Sequence, residues 1–151
     1  MNSAHDTGVV AGPASGPTSH TRRWRAFVGT GVIATLAAMV ATTLAAALAR
    51  AVGVDFEVPD GGETIPLSGF AVVTGFFSVV GIVMAAALRR WSAHPAERFV
   101  QAAVTLTAIS LVPPLLSDAD AATTIALVGL HLVAAAVMIP ALSLSLRTRT
   151  G

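Results

Sequence analysis

The chain has 151 residues, of which 54% are hydrophobic and only 11% charged, and its formal net charge at pH 7 is +1. Soluble domains carry about 25% charged residues, so this composition is typical of a membrane protein. The chain has no cysteine, which excludes disulfide bonds, thiolate metal sites and cysteine nucleophiles. All of its strongly basic side chains are arginines, which excludes Schiff-base lysines and the lysine of phosphate-binding loops.

The N-terminal 25 residues have the composition of a tail rather than of a folded element. Residues 1–20 are rich in Gly, Ser, Pro and Ala and show no apolar period, so we predict a disordered cytoplasmic tail over 1–25. A twin-arginine export signal is the alternative, with Arg22 and Arg23 as the arginine pair and cleavage after Ala49. The apolar run that follows is much longer than the about 7–15 residues of a signal peptide, which disfavours this alternative.

Four apolar runs follow, and each is long enough to cross a bilayer. A helix needs about 20 residues to cross the ~30 Å hydrocarbon core, and none of the four runs has the polar face of a soluble helix. We predict spans at about 26–49, 66–88, 97–117 and 121–146. The predicted fold is an all-α integral membrane four-helix bundle, antiparallel and up-and-down, over residues 26–146, with a cytoplasmic tail at 147–151.

The arginines predict how the chain is threaded through the membrane. With four spans, eight of the nine arginines fall on one side, and only Arg50 falls on the other. The positive-inside rule then places both termini of this multi-pass protein in the cytoplasm. Trp24 and Trp91 both fall at the cytoplasmic ends of spans, where indole rings favour the headgroup layer.

Small residues recur at helical spacing and predict which helix faces pack together. Membrane helices associate through close contact of small residues, since burial of apolar surface gains little there. The first span carries a small ladder at every fourth position and a bulky ladder that we expect to face lipid or a groove. The small ladder is Thr30, Ala34, Ala38, Thr42 and Ala46, and the bulky one is Val32, Leu36, Val40, Leu44 and Leu48. The second span offers Gly75, Ser78, Gly81 and Ala85. We expect packing within one chain, and homo-oligomerisation stays open.

Prolines mark one helix start and two interruptions. Pro95, followed by Glu97 in the first turn, favours a helix N-terminus ahead of the third span. Pro113 and Pro114 remove two backbone donors, so the third helix should bend or end there. Pro140 should bend the fourth helix, and we expect these bends to be static.

His131 is the ionisable residue predicted to lie within a span, close to the middle of the bilayer. Thr107 and Ser110 of the third span are expected at a similar depth. The favoured interpretation is a neutral imidazole bonded to one of these hydroxyls, which fixes the register of the two helices. Ligand binding or proton relay is the alternative. A haem with two axial histidines is disfavoured, since the other three histidines are predicted to be cytoplasmic.

The outer side of the predicted bundle is acidic. Residues 54–58 alternate with period 2, so this outer loop is expected to hold a small extended segment whose apolar side rests on the bundle. The acidic candidates are Asp55, Glu57, Asp60, Glu63, Asp118 and Asp120. Oxygen clusters can bind a hard cation such as Ca²⁺. Simple solvation of these carboxylates outside the membrane is the favoured interpretation, because calcium-loop spacing is missing.

No catalytic constellation, metal site, cofactor motif or nucleic-acid-binding pattern is evident in the sequence. The leading hypothesis is therefore a non-enzymatic scaffold or partner-binding membrane subunit. A passive small-molecule or ion conduit with a polar seam around His131 is the alternative, and a membrane redox or haem protein is the third hypothesis. The expected partners are the lipid bilayer and either a second copy of the chain or another membrane protein.

Three segments carry a resemblance to a known family. They are GVDFEVPDGGETIPLSGFAV at 53–72, LTAISLVPPL at 106–115 and LVGLHLVAAAVMIPAL at 127–142. In order and spacing they resemble a family of small four-helix membrane proteins of unknown function that is common in actinobacteria. The resemblance covers about residues 26–146. It implies a four-span fold in a bacterial plasma membrane, and it implies no activity.

Overall fold

The computed structural model describes residues 18–57, 63–117 and 119–147, with the backbone alone described for 18–20. These residues form α1 (Thr18–Ala51), α2 (Leu67–Trp91), α3 (Pro95–Ser110), α4 (Val112–Leu116) and α5 (Ala121–Arg147). Helices α3 and α4 together make one span, so the described residues contain four helical spans long and apolar enough to cross a membrane. The predicted all-α four-helix membrane bundle is confirmed.

Helix α1 begins earlier than the sequence pattern predicts. It starts at Thr18, so residues 18–25, which we assigned to a disordered tail, belong to its first two turns. Its 34 residues span about 50 Å at ~1.5 Å per residue, more than the ~30 Å hydrocarbon core requires. The arginine-bearing turns therefore extend beyond the core. The rest of the predicted tail, residues 1–17, lies outside the described residues, as do residues 148–151 of the predicted C-terminal tail.

The four spans occupy the corners of a square. Helix α1 packs against α2 and α5, while α3 packs against α5 and α2, so α1 and α3 lie on opposite corners. Short connections join neighbouring spans, which gives the antiparallel up-and-down order expected from the sequence. Each end of the bundle is thus built from one end of every span.

The two ladders of α1 point in opposite directions, as predicted. Ala34, Ala38, Thr42 and Ala46 are buried, whereas Thr30, the first member of the small ladder, is exposed. The bulky ladder is 50–68% exposed along its whole length. Such a long apolar surface would be unfavourable in water, and it is what a lipid-facing helix surface requires.

Close contacts between helices occur where one side chain is small. Gly31 of α1 faces Ile82 of α2 so closely that an added Cβ would lie 2.9 Å from the Ile82 Cδ1. At Gly75 of α2, an added Cβ would lie 3.2 Å from the sulfur of Met39 in α1. Gly75 was among the predicted packing residues, and Gly31 was not. Both contacts bring α1 and α2 close enough for side chains of one helix to fill the other's groove.

Proline ends α3 where the sequence predicts an interruption. The helix ends at Ser110, Leu111 forms a turn, and α4 resumes at Val112 with Pro113 and Pro114 in its first positions. A proline lacks the backbone N–H that would bond to the preceding turn, and its ring clashes with that turn. The predicted start of this span is also confirmed, because α3 begins at Pro95 with Glu97 in its first turn. Pro140 lies inside α5, which continues beyond it to Arg147.

Candidate functional site

The loop between α1 and α2 folds back over one end of the bundle, and we call residues 50–57 and 63–65 the outer cap. Gly53 lies two residues beyond the end of α1. Its backbone φ is 95°, a left-handed conformation that costs glycine little. The N–H of Val54 then donates to the carbonyl of Ala49 at 3.0 Å, which closes the helix end. The chain is thereby turned back across the bundle as soon as the helix stops.

Phe56 anchors the outer cap in the bundle. Its side chain is completely buried and packs with Ala46 of α1 and Leu130 of α5. Its ring meets that of Phe70 of α2 edge-on, at a centroid separation of 4.9 Å. Phe56 has a backbone φ of 52°, a left-handed conformation that typically costs a non-glycine residue about 1–3 kcal/mol. Burial of the ring offsets this cost and fixes the path of the loop.

Hydrogen bonds hold the two arms of the outer cap together. Arg50, the one arginine predicted on this side, donates from its guanidinium to the carbonyl of Ile65. The Ile65 N–H donates to the carbonyl of Phe56 at 3.1 Å, and an isolated antiparallel bridge joins Glu57 to Thr64. Within the described residues 54–57, the predicted extended segment is one bridge, because the left-handed backbone at Phe56 interrupts regular strand geometry, and residue 58 of the predicted segment lies outside the described residues. Its apolar side does rest on the bundle, as predicted.

The predicted acidic residues do not form a metal site within the described part of the chain. Asp55, Glu57, Glu63 and Asp120 are exposed, and no group of three or more described His, Asp or Glu side chains is arranged to hold a metal ion. The other two candidates, Asp60 and Asp118, lie outside the described residues.

Asp120 has a local role that the sequence analysis did not assign. Its carboxylate accepts hydrogen bonds from the backbone N–H groups of Ala122 at 2.8 Å and Thr123 at 3.2 Å, so it caps the N-terminus of α5. The hydroxyl and the backbone N–H of Thr123 face this carboxylate and lower the pKa of Asp120 below its ordinary value of 3.8. An aspartate immediately before a helical run is a capping signal that sequence analysis could have used.

His131 bonds to its own helix rather than to a neighbouring one. Its Nδ1 lies 2.8 Å from the carbonyl oxygen of Leu127, and since a carbonyl only accepts, Nδ1 is the donor. The Ser110 hydroxyl donates to the carbonyl of Thr107 at 2.7 Å, again within one helix. Among the described residues, no hydrogen bond links His131 to Thr107 or Ser110. The structure therefore gives no interhelical bond of the kind that we expected to fix the register.

A polar contact between two helices does occur between α1 and α2. The hydroxyls of Thr42 and Thr74 lie 3.1 Å apart, and the Thr42 hydroxyl is also 2.8 Å from the carbonyl of Ala38. Thr42 was predicted as a packing residue, and Thr74 was not singled out. The available signal was a threonine in each span, and the sequence alone could not show that the two lie at the same depth.

The conduit and redox hypotheses stay predictions. In a neutral imidazole whose Nδ1 donates, Nε2 is the atom that can accept a proton or ligate a metal. A conduit further requires His131, Thr107 and Ser110 to line a water-accessible cavity. One cavity in the described part of the chain lies at the opposite end from the outer cap and is lined by residues between 87 and 98.

The arginine-rich end of the bundle comprises Arg22, Arg23 and Arg25 of α1, Arg89 and Arg90 of α2, Arg98 of α3 and Arg147 of α5. Phe27, Leu88, Phe99 and Leu146, one from each long helix, pack there in a single cluster, which brings the four basic helix ends together. The Arg89 guanidinium lies 5.9 Å from the Trp24 ring centroid and 5.1 Å from that of Phe27, within the range of cation–π attraction.

A model of a known protein family matches residues 21–148 of the chain. The chain belongs to DUF6069, a family of unknown function. The matched region includes nearly all of α1 and all of α2 to α5, so membership rests on the bundle described above. No curated protein and no solved structure matches the chain. The DUF6069 assignment therefore agrees with the expected unknown-function membrane family and adds no activity.

Proposed function

We propose that this DUF6069 protein is a non-enzymatic multi-pass protein of a bacterial plasma membrane that acts as a scaffold or partner-binding subunit. In this proposal its arginine-rich end and both termini face the cytoplasm, and the outer cap meets the partner outside. The observation that carries the proposal is the ordered outer cap. A loop with no binding role would not need a buried aromatic anchor, a left-handed non-glycine residue and an arginine clamp.

The chemistry of the outer cap suggests the kind of partner. Its backbone is held at Phe56 and Ile65, while Asp55, Glu57 and Glu63 remain exposed around these anchors. Carboxylates on a backbone that is already held offer a negative surface without the cost of ordering that backbone on binding. A basic outer segment of another membrane protein would complement this surface, and complementary charge raises association rate and specificity more than it raises affinity.

The small-residue faces of the helices are poor candidates for this contact. Ala38, Thr42 and Ala46 of α1 and Ala85 of α2 are buried inside the bundle, so they are used up by packing within the chain. This supports intrachain packing as the role of the ladders. From the sequence, the small-residue helix faces were also candidates for contact with a partner. Because these residues are buried, we place the proposed partner surface on the outer cap.

Site-specific photo-crosslinking in native membranes tests the partner proposal. A photoreactive residue at Glu57 should capture a discrete partner band, whereas the same residue at Val83, an exposed position on the apolar face of α2, should not. The double variant Asp55→Lys/Glu63→Lys should weaken capture and should not alter the yield of folded protein, because both side chains are exposed. Equal capture from Glu57 and Val83, or no dependence on the two charges, would contradict the proposal.

Reporter fusions test the orientation separately. An enzyme active only outside the cytoplasm should work when fused after residue 60 and fail when fused after Gly151, because the two sites lie on opposite sides of the membrane in this scheme. Activity at both sites, or at neither, would overturn the proposed threading whatever the partner result.

A further inference from the structure

A half-open cavity of about 290 Å³ lies at the arginine-rich end, between the end of α2 and the start of α3. It is lined by Ala87, Leu88, Trp91, Ser92, Ala93 and Arg98. Small-molecule pockets typically measure about 300–1,000 Å³, so this cavity matches a compact group such as a headgroup and not a whole lipid. It lies between the end of one span and the start of the next, which is the level of the headgroup layer in the proposed threading.

The polar wall of the cavity offers donors and one uncompensated cation. Arg98 is exposed, and its guanidinium forms no ion pair with any residue that the structure describes. Glu97 precedes it, but side chains at adjacent helical positions diverge, so this carboxylate does not face the same way. An arginine fork is suited to two oxygens of a phosphate.

Ser92 adds a hydroxyl that already accepts one hydrogen bond. Its Oγ accepts a hydrogen bond from the backbone N–H of His94 at 3.2 Å, which leaves its own proton available to donate into the cavity. Trp91 adds an indole that is 81% exposed, and its N–H is the third donor in the lining. Three donors of different kinds thus line a cavity in which no acidic side chain forms part of the wall.

The remaining wall is apolar, and it connects the cavity to the membrane surface of α2. Ala87 lies one turn from Val83, which is 62% exposed on the apolar face of the same helix, while Leu88 packs toward the core of the bundle. A ligand with a phosphate and an acyl chain could place the first beside Arg98 and the second along this face. A soluble phosphate compound would use only the polar part of the wall.

We propose that this cavity is a binding site for the phosphate of an anionic membrane phospholipid, with Arg98 as the principal contact and Ser92 and Trp91 as supporting donors. The site lies at the opposite end of the bundle from the outer cap and goes beyond the partner-binding function. Its test is independent of that proposal, since it requires no partner and no modification of the outer loop.

Tryptophan quenching by brominated lipids tests this site in the full chain. Trp24→Phe leaves Trp91 as the single tryptophan, because the chain has two. In phosphatidylcholine nanodiscs, a trace of acyl-brominated phosphatidylglycerol should quench Trp91 more strongly than the same amount of brominated phosphatidylcholine. Arg98→Gln in this background should lower the preference for the anionic lipid by about fivefold, which is the effect of the ~1 kcal/mol that one arginine contributes near an anionic surface.

Arg90→Gln is the matched control. Arg90 lies at the same end of the bundle and is exposed, but it does not line the cavity, so its removal should lower the preference clearly less than removal of Arg98. Ser92→Ala should give a smaller loss than Arg98→Gln and provides a second variant with little risk of misfolding. Equal quenching by the two lipids, or equal losses in Arg98→Gln and Arg90→Gln, would overturn the proposal.

Inorganic phosphate distinguishes a lipid from a soluble source of the same group. Millimolar inorganic phosphate should leave the preference of Trp91 for brominated phosphatidylglycerol unchanged, because the acyl chain holds the headgroup beside the cavity. Loss of the preference on addition of inorganic phosphate would show that the cavity takes a free phosphate, and the assignment to a lipid would be wrong.

Discussion

Phe56→Ala should release the outer cap without unfolding the bundle. The side chain is fully buried against Ala46, Leu130 and Phe70, and replacing a buried phenylalanine by alanine typically costs about 3–5 kcal/mol. The substitution also leaves the left-handed backbone at residue 56 without the ring burial that offsets it. At 1.4 kcal/mol per factor of ten, even 3 kcal/mol raises the population of the open cap about 100-fold.

Thiol labelling can measure this opening because the chain has no cysteine of its own. Ala126→Cys places a thiol on α5 in the cluster beneath Phe56, at a partly buried position. If labelling requires the cap to open, its rate in detergent should rise by about 100-fold with Phe56→Ala. With Phe56→Leu the rise should be about tenfold or less, because substitutions that nearly conserve volume usually cost under about 1.5 kcal/mol.

Ala103→Cys is the control for global unfolding. Ala103 is also partly buried but packs in the other cluster, toward the arginine-rich end. Its labelling should not respond to Phe56→Ala. An unchanged rate at Ala126 would show that the ring does not hold the cap closed, and an equal rise at both positions would show that the cap and the bundle unfold together.

Three other sets of substitutions test local features of the fold. Gly31→Ala should destabilise the bundle by about 1 kcal/mol in a denaturant titration because its Cβ would meet Ile82 at 2.9 Å, whereas Gly29→Ala, which meets nothing within 4 Å, should be neutral or slightly stabilising. A double-mutant cycle with Thr42→Val and Thr74→Val should give a coupling energy of about 0.6 kcal/mol, and a value near zero would exclude a hydroxyl bond between the helices. The lowered pKa of Asp120 means that its stabilisation of α5 is present at neutral pH and is lost as pH falls below 3.8 and through the lowered pKa, so the protection factors of amides at the start of α5 should fall over this range in the wild type. Asp120→Asn should keep the cap and abolish this pH dependence, and protection factors that fall equally in the variant would contradict this role.

The sequence predicts the spans well because each depends on local composition. Apolar runs, prolines and the spacing of small residues are read along one helix at a time, and they gave the four spans, the start at Pro95 and the buried face that holds Ala38. The start of α1 was missed because residues 18–25 are polar, and helix formation there does not require an apolar period.

Contacts between helices could not be predicted in the same way. Gly31 meets Ile82, and Thr42 meets Thr74, only because α1 and α2 take one relative depth and rotation, which a single sequence does not specify. For His131, by contrast, an interhelical bond was predicted and is not formed among the described residues. Its predicted interhelical bond competes with the carbonyl of Leu127 one turn earlier, which is always within reach on the same helix.

The tendency of polar side chains to bond to carbonyls of their own helix also bears on where the protein could bind a partner or a ligand. Hydroxyls at several depths donate to carbonyls three or four residues earlier, as Thr35 does to Gly31, Ser110 to Thr107 and Ser143 to Pro140. A polar group satisfied by its own backbone gains little from water or a passing solute, so these side chains do not favour a polar seam through the bundle. The charged side chains that the structure describes lie instead at the two ends, in the outer cap and around Arg98. For this reason we propose partner binding and lipid binding at the two membrane interfaces rather than in the interior.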